Sequence, residues 1–182
     1  MKGFEYVFSL FGLLLGLSIT EILSGFSRVM KARRHVRLGW LTPLLGLLLG
    51  VDLISFWSNA WEIRDYVPSG FGTLIFAALV ASIYYLASSL VFPLVPSEWA
   101  DLDDWYFVHR REVIGAVALA NALMIVGMTL LLGNIYNDGP SAWIVPICFY
   151  AIALALVLIK NRLISTLLLI LDISFYWIFR YL

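Results

Sequence analysis

Charge is scarce in this chain, histidine scarcer, and cysteine almost absent. Only 13% of the residues are Asp, Glu, Lys or Arg while 62% are apolar, against about 25% charged in soluble domains. That ratio excludes a water-soluble globule. Apolar runs consume most of the 182 residues, which also excludes a separate soluble domain of ordinary size. A formal net charge of zero removes any global attraction for nucleic acid. The single cysteine, Cys148, has no partner for an intrachain disulfide. Both histidines, His35 and His109, fall in polar segments between apolar runs, so neither a haem with axial ligands inside the membrane nor an intramembrane serine protease fits. No run carries repeated arginines, which excludes a voltage sensor. The Gly-x-Gly-Asp phrase of intramembrane aspartyl proteases is missing too: Leu49, Gly50 and Val51 precede Asp52, and Ile170 and Leu171 precede Asp172. A non-enzymatic protein without a cofactor is expected.

What abounds is uninterrupted apolar sequence. Windows at about 4–26, 38–61, 71–95, 113–135, 141–159 and 163–181 compare with the roughly 20 residues that a spanning helix needs. The expectation is an all-α polytopic bundle of six transmembrane helices, one domain over residues 1–182. The connection "KNR", Lys160 to Arg162, is short enough to make the last two an antiparallel hairpin. After the first run comes "SGFSRVMKARR" rather than a small-residue cleavage site, so that run is expected to remain in the mature chain. Its wording, "FEYVFSLFGLLLGLSITEILSGFSR", resembles the opening helix of uncharacterised bacterial multipass inner-membrane proteins that begin with a similar F-E-Y-V phrase. The resemblance covers that helix alone, implies a multi-pass protein of the bacterial inner membrane, and carries no activity.

Basic residues set the orientation, because positive loops stay on the cytoplasmic side. Arg28, Lys31, Arg33, Arg34 and Arg37 follow the first span, Arg110 and Arg111 precede the fourth, and Lys160 and Arg162 precede the sixth. These nine oppose Lys2, Arg64 and Arg180, so both termini are expected outside. Trp57, Trp61, Trp143, Trp177 and Tyr181 would then mark the outer interface, and Trp40 and Trp99 the inner one. Lys31, Arg33, Arg34 and Arg37 form a basic surface for anionic lipid.

At about 1.5 Å of rise per residue, Asp52, Ser82, Asn121 and Asp172 fall near the bilayer centre. An aspartate there costs about 2.5–3.5 kcal/mol on insertion scales, so it is expected to face the bundle interior or water. Asp52, Ser55, Asn59 and Glu62 recur at helical spacing and make a polar stripe from the centre to the outer surface. Asp172, Tyr176 and Arg180 make a weaker one. Glu21 on the first helix, and Ser82, Tyr85 and Ser89 on the third, run the other way. The reading is a transporter or channel for protons or another small cation. Asp52 and Asp172 would lie in contact at its centre and share a proton, since two adjacent carboxylates do not both ionise cheaply. Asn121 would sit beside them, Ser55, Asn59 and Glu62 would line the outward path, and Glu21, Ser82, Tyr85 and Ser89 the inward one.

Plainer roles stand beside these. Glu21 has Arg28 within reach as an ion partner, Asn121 suits helix-helix bonding, and the aspartates suit a structural clasp. The competing reading is a structural or regulatory membrane subunit that transports nothing and assembles with itself or a partner, using the small-residue face Gly12, Gly16, Thr20 and Ser24. A weak echo between "VDLISFW" and "LDISFYW" suggests an inverted repeat, but "WLTP" and "WIVP" pair the second span with the fifth instead, so no repeat is inferred.

One longer polar segment remains, "PSEWADLDDWYFVHRRE". Ser97 suits a helix cap, acids crowd the first turns and bases the last, so a short interfacial helix over about 97–109 is expected. Asp101, Asp103, Asp104 and His109 match neither a calcium loop nor a zinc site and read as a solvated acidic face.

Overall fold

The computed structural model describes residues 3–68, 70–132 and 143–181, with the backbone alone at 3, 4, 6, 131, 132 and 179–181. Among the described residues six α-helices follow one another: α1 (Gly3–Ala32), α2 (Leu41–Glu62), α3 (Phe71–Val91), α4 (Leu102–Leu132), α5 (Ile144–Leu158) and α6 (Arg162–Tyr181). Among the described residues there is no strand. The end of the expected fourth span (133–135), the start of the fifth (141–142), Lys2, and the side chains of Arg180 and Tyr181 lie outside the described residues.

Four stretches, Val7–Ala32, Leu41–Glu62, Phe71–Val91 and Leu102–Leu130, are long and apolar enough to cross a membrane. Their outward faces carry Leu13, Leu23, Ile54, Leu86 and Leu130, all exposed. Soluble monomers do not present such continuous apolar surface, and lipid is the solvent that suits it. Among these four α2 is the most enclosed, with half of its apolar window facing protein. It touches α1, α3, α4 and α6. Asp52, on the buried side of α2, therefore meets other helices rather than hydrocarbon.

Helix contacts are set by where rings find room. Phe92, just past α3, is 1% exposed because Gly25 of α1 and Gly46 of α2 leave space for its ring. A side chain on either glycine would collide with that ring, so these two positions hold α1, α2 and the end of α3 together. The expected small-residue face of α1 behaves differently. Gly12 abuts Trp57, but Gly16 has no neighbour within 4 Å, and Thr20 and Ser24 are exposed. Only Gly12 of that face meets another helix; from Gly16 to Ser24 it makes no close helix contact among the described residues. The Thr20 hydroxyl bonds the Gly16 carbonyl of its own helix at 2.8 Å and needs no partner helix.

The segment around Asp101 departs most from expectation. No separate interfacial helix forms over 97–109. Pro96–Glu98 is one 3₁₀ turn in which Ser97 makes no cap bond, and α4 then runs unbroken from Leu102. Asp101 caps α4, its Oδ1 accepting the Asp103 amide at 2.9 Å. The acidic triplet is not a solvated face either: Asp101 and Asp103 are buried, and only Asp104 is exposed. Asp103 Oδ1 accepts the Leu41 amide at 2.9 Å, capping α2, whose own N-cap position is a tryptophan. Arg162, at the start of α6, reaches Asp101 at 2.8 Å and Asp104 at 2.7 Å. Asn161 caps α6 by accepting the Leu163 amide at 2.9 Å. Trp105 donates to the last carbonyls of α3, and buried Arg110 donates to the Ile159 carbonyl between α5 and α6. The helix ends on this side are thus joined by reciprocal caps and ion pairs.

This junction has a pH signature. Partial burial pushes the Asp101 carboxyl up, but the Asp103 amide and the Arg162 guanidinium outweigh it and hold the group below its ordinary 3.8. A depressed folded value means stability that is present above pH 3.8 and lost as the pH falls through that lower value. Thermal unfolding in detergent is expected to be insensitive to this group at neutral pH and to weaken below about pH 4. The acid loss should be smaller in Asp101→Asn than in the wild type. An identical acid profile in both would show that Asp101 does not contribute.

Candidate functional site

Opposite the capped junction, the bundle opens into a cavity of about 770 Å³. Its floor is Asp52 of α2 and Asp172 of α6, both 3% exposed. Ser55, Asn59 and Glu62 rise along one wall, so the whole α2 stripe faces this space. Asn121, Met124 and Met128 of α4 form a second wall, with Phe149 of α5 and Phe175 of α6 beyond. The rim belongs to the end where Phe8 of α1 packs on Trp57 and Trp61, at ring separations of 4.6 and 5.5 Å. Below the two acids, toward the capped junction, lies a small space of about 20 Å³, room for about one water. Leu45, Leu48, Leu49, Val113, Val117 and Leu156 close that side.

The two aspartates differ in surroundings. Asp52 is bonded at both oxygens: Tyr84 donates to Oδ2 at 2.7 Å and Tyr176 to Oδ1 at 2.6 Å. Asn121 Nδ2 lies 3.0 Å from the Tyr84 oxygen and 3.4 Å from Oδ2. Four helices, α2, α3, α4 and α6, meet on one carboxyl. Asp172 lies four residues before Tyr176 and accepts no hydrogen bond among the described residues. The two acids lie on the same cavity floor, and no direct hydrogen bond joins them.

The expected inward path does not assemble. Glu21 is half-buried and paired with Arg28 at 2.9 Å, away from the cavity. Ser82 and Tyr85 are exposed, and Ser89 bonds the Leu86 carbonyl of its own helix at 2.8 Å. Ser82 does the same with Ala78 at 2.7 Å, so its hydroxyl is satisfied while it faces outward. The polar residues that α3 buries are Tyr84 and Ser88. Both lie on the frame Val80, Ala81, Tyr84, Ala87, Ser88 and Val91, where small residues at helical spacing mark the inward face. That pattern of small residues was the available signal for Tyr84. Phe149 and Phe175 had none, since aromatic residues in an apolar run look alike whichever way they point.

Lys31, Arg33, Arg34 and Arg37 are all exposed at the capped end. Arg37 is also held by backbone bonds, donating to the Ala100 carbonyl at 3.1 Å and accepting from Leu102 at 3.0 Å, with its guanidinium 3.9 Å from Asp101. Comparison with protein-family models, with curated proteins and with solved structures finds no match, so function is argued from the cavity.

Proposed function

We propose that the chain is a membrane carrier of protons or another small cation, with Asp172 as the group that binds and releases the cargo. It crosses a bacterial inner membrane six times, both termini lie outside, and the cavity opens to that outer side. The carrying observation is a buried carboxyl with no hydrogen-bond partner among the described residues, at the floor of a cavity with mixed polar and apolar walls, open at one end and bounded by apolar side chains at the other. A channel needs a continuous wet path. A carrier needs a site reached from one side at a time, and this cavity has that form. Proton entry into liposomes loaded with a pH-sensitive dye tests the reading. Flux above that of empty liposomes and dependent on Asp172 is expected; proton, sodium and potassium fluxes all equal to those of empty liposomes overturn it.

The second reading, a non-transporting subunit, draws on Asp52, which bonds other helices through both of its oxygens and so ties four helices together. It predicts no flux from the wild-type protein.

The basic run at the capped end is assigned to the cytoplasmic surface, where each exposed base near anionic lipid contributes about 1 kcal/mol. Neutralising Lys31, Arg33, Arg34 and Arg37 together is expected to reduce retained anionic lipid in native mass spectra. Unchanged retention would leave the run with a topological role alone.

A further inference from the structure

We infer that the cavity takes an amphipathic organic cation, a protonated amine or quaternary ammonium. Its charged head meets the Asp172 carboxylate and its apolar body lies against Phe149, Phe175, Met124 and Met128. The inference rests on the carrier reading and names its substrate class.

Size comes first. About 770 Å³ falls among small-molecule sites, which run from about 300 to 1,000 Å³, and greatly exceeds what a proton or bare metal ion fills. Charge comes second. Asp52, Glu62 and Asp172 line the cavity, and no lysine, arginine or histidine does among the described residues, so an anion is repelled. Of the three acids, Asp172 is buried at the floor and lacks a hydrogen-bond partner among the described residues, an arrangement that a cationic donor completes. The walls come third. Aromatic faces attract cations and pack on hydrocarbon, and the thioethers of Met124 and Met128 adapt to irregular shapes. A metal ion asks instead for a cage of oxygen or nitrogen ligands. No group of three His, Cys, Asp or Glu side chains placed to hold one occurs among the described residues.

The test is isothermal titration of the purified full chain in nonionic detergent, with empty micelles as blank, against benzyltrimethylammonium, benzyl alcohol and benzoate at fixed ionic strength. Proton flux in liposomes is measured in parallel. Saturable binding is expected for the ammonium alone. Asp172→Asn should weaken it about tenfold or more, and Phe149→Leu about threefold or more through the lost ring. Glu21→Gln, outside the cavity, should leave it unchanged. Equal binding of benzyl alcohol would reduce the site to an apolar hole and overturn the proposal. Ammonium binding of full affinity in Asp172→Asn would do the same. Asp172-dependent proton flux in a protein that binds no ammonium overturns the substrate class and leaves the carrier standing. Ammonium binding with neither proton flux nor uptake of the ammonium into the same liposomes supports the ligand and overturns the carrier.

Discussion

Replacing Asp172 with asparagine is expected to abolish proton flux and leave the fold intact. The substitution keeps the shape and removes the charge. No hydrogen bond from a described residue is lost, because none reaches this carboxyl. A buried carboxylate without a partner is a cost to the folded state, so a neutral amide there should leave thermal stability unchanged or raise it. Flux should fall to the level of empty liposomes, since an amide neither takes up a proton at neutral pH nor balances a cation. The two readouts separate a binding role from a structural one. Loss of flux together with a large fall in melting temperature would place Asp172 in the scaffold. Undiminished flux would remove it from the mechanism.

Asp52→Ala should do the reverse in its effect on the fold. It strips the acceptor from the buried Tyr84 phenol and the half-buried Tyr176 phenol on two other helices, while Asn121 keeps its bonds to the Tyr84 oxygen and the Val117 carbonyl. Each orphaned group costs about 1–3 kcal/mol in protein interiors, although helix-to-helix bonds in membranes average only about 0.6 kcal/mol. Together they should destabilise by about 2–4 kcal/mol. That corresponds to a melting temperature about 5–15 °C lower for a chain of this size. Asp52→Asn should lose less, because its remaining carbonyl oxygen still accepts one phenol. Tyr84→Phe and Tyr176→Phe complete a double-mutant cycle in which, if the carboxyl joins the helices, the losses are smaller on an Asp52→Ala background than on the wild type. An Asp52→Ala protein that melts with the wild type would show that the four-helix junction is not what holds the bundle.

Residues that cannot satisfy themselves were legible in the sequence. Asp52, Ser55, Asn59 and Glu62 were read as one polar stripe and line one cavity, because carboxylates and amides in an apolar slab need partners or water and helical spacing says which residues share them. Length and hydropathy likewise fixed an all-helical chain with long apolar helices, since a backbone in hydrocarbon must bond internally. Tertiary structure decided what local sequence leaves degenerate. Ser82 and Ser89 look as polar as Ser55, but a serine hydroxyl can bond a carbonyl of its own helix, so polarity did not reveal which way α3 faces. Tyr84 rather than Tyr85 reaches Asp52 because packing against α1 and α4 sets the rotation of α3. The partners of Asp101 and Asp103 were beyond local reading as well. Asp103 caps a helix that begins 62 residues earlier, and Asp101 holds an arginine 61 residues later. Acids next to one another in sequence look solvated, and only the meeting of three helix ends, each with unsatisfied backbone groups or charge, turned them into caps and an ion pair.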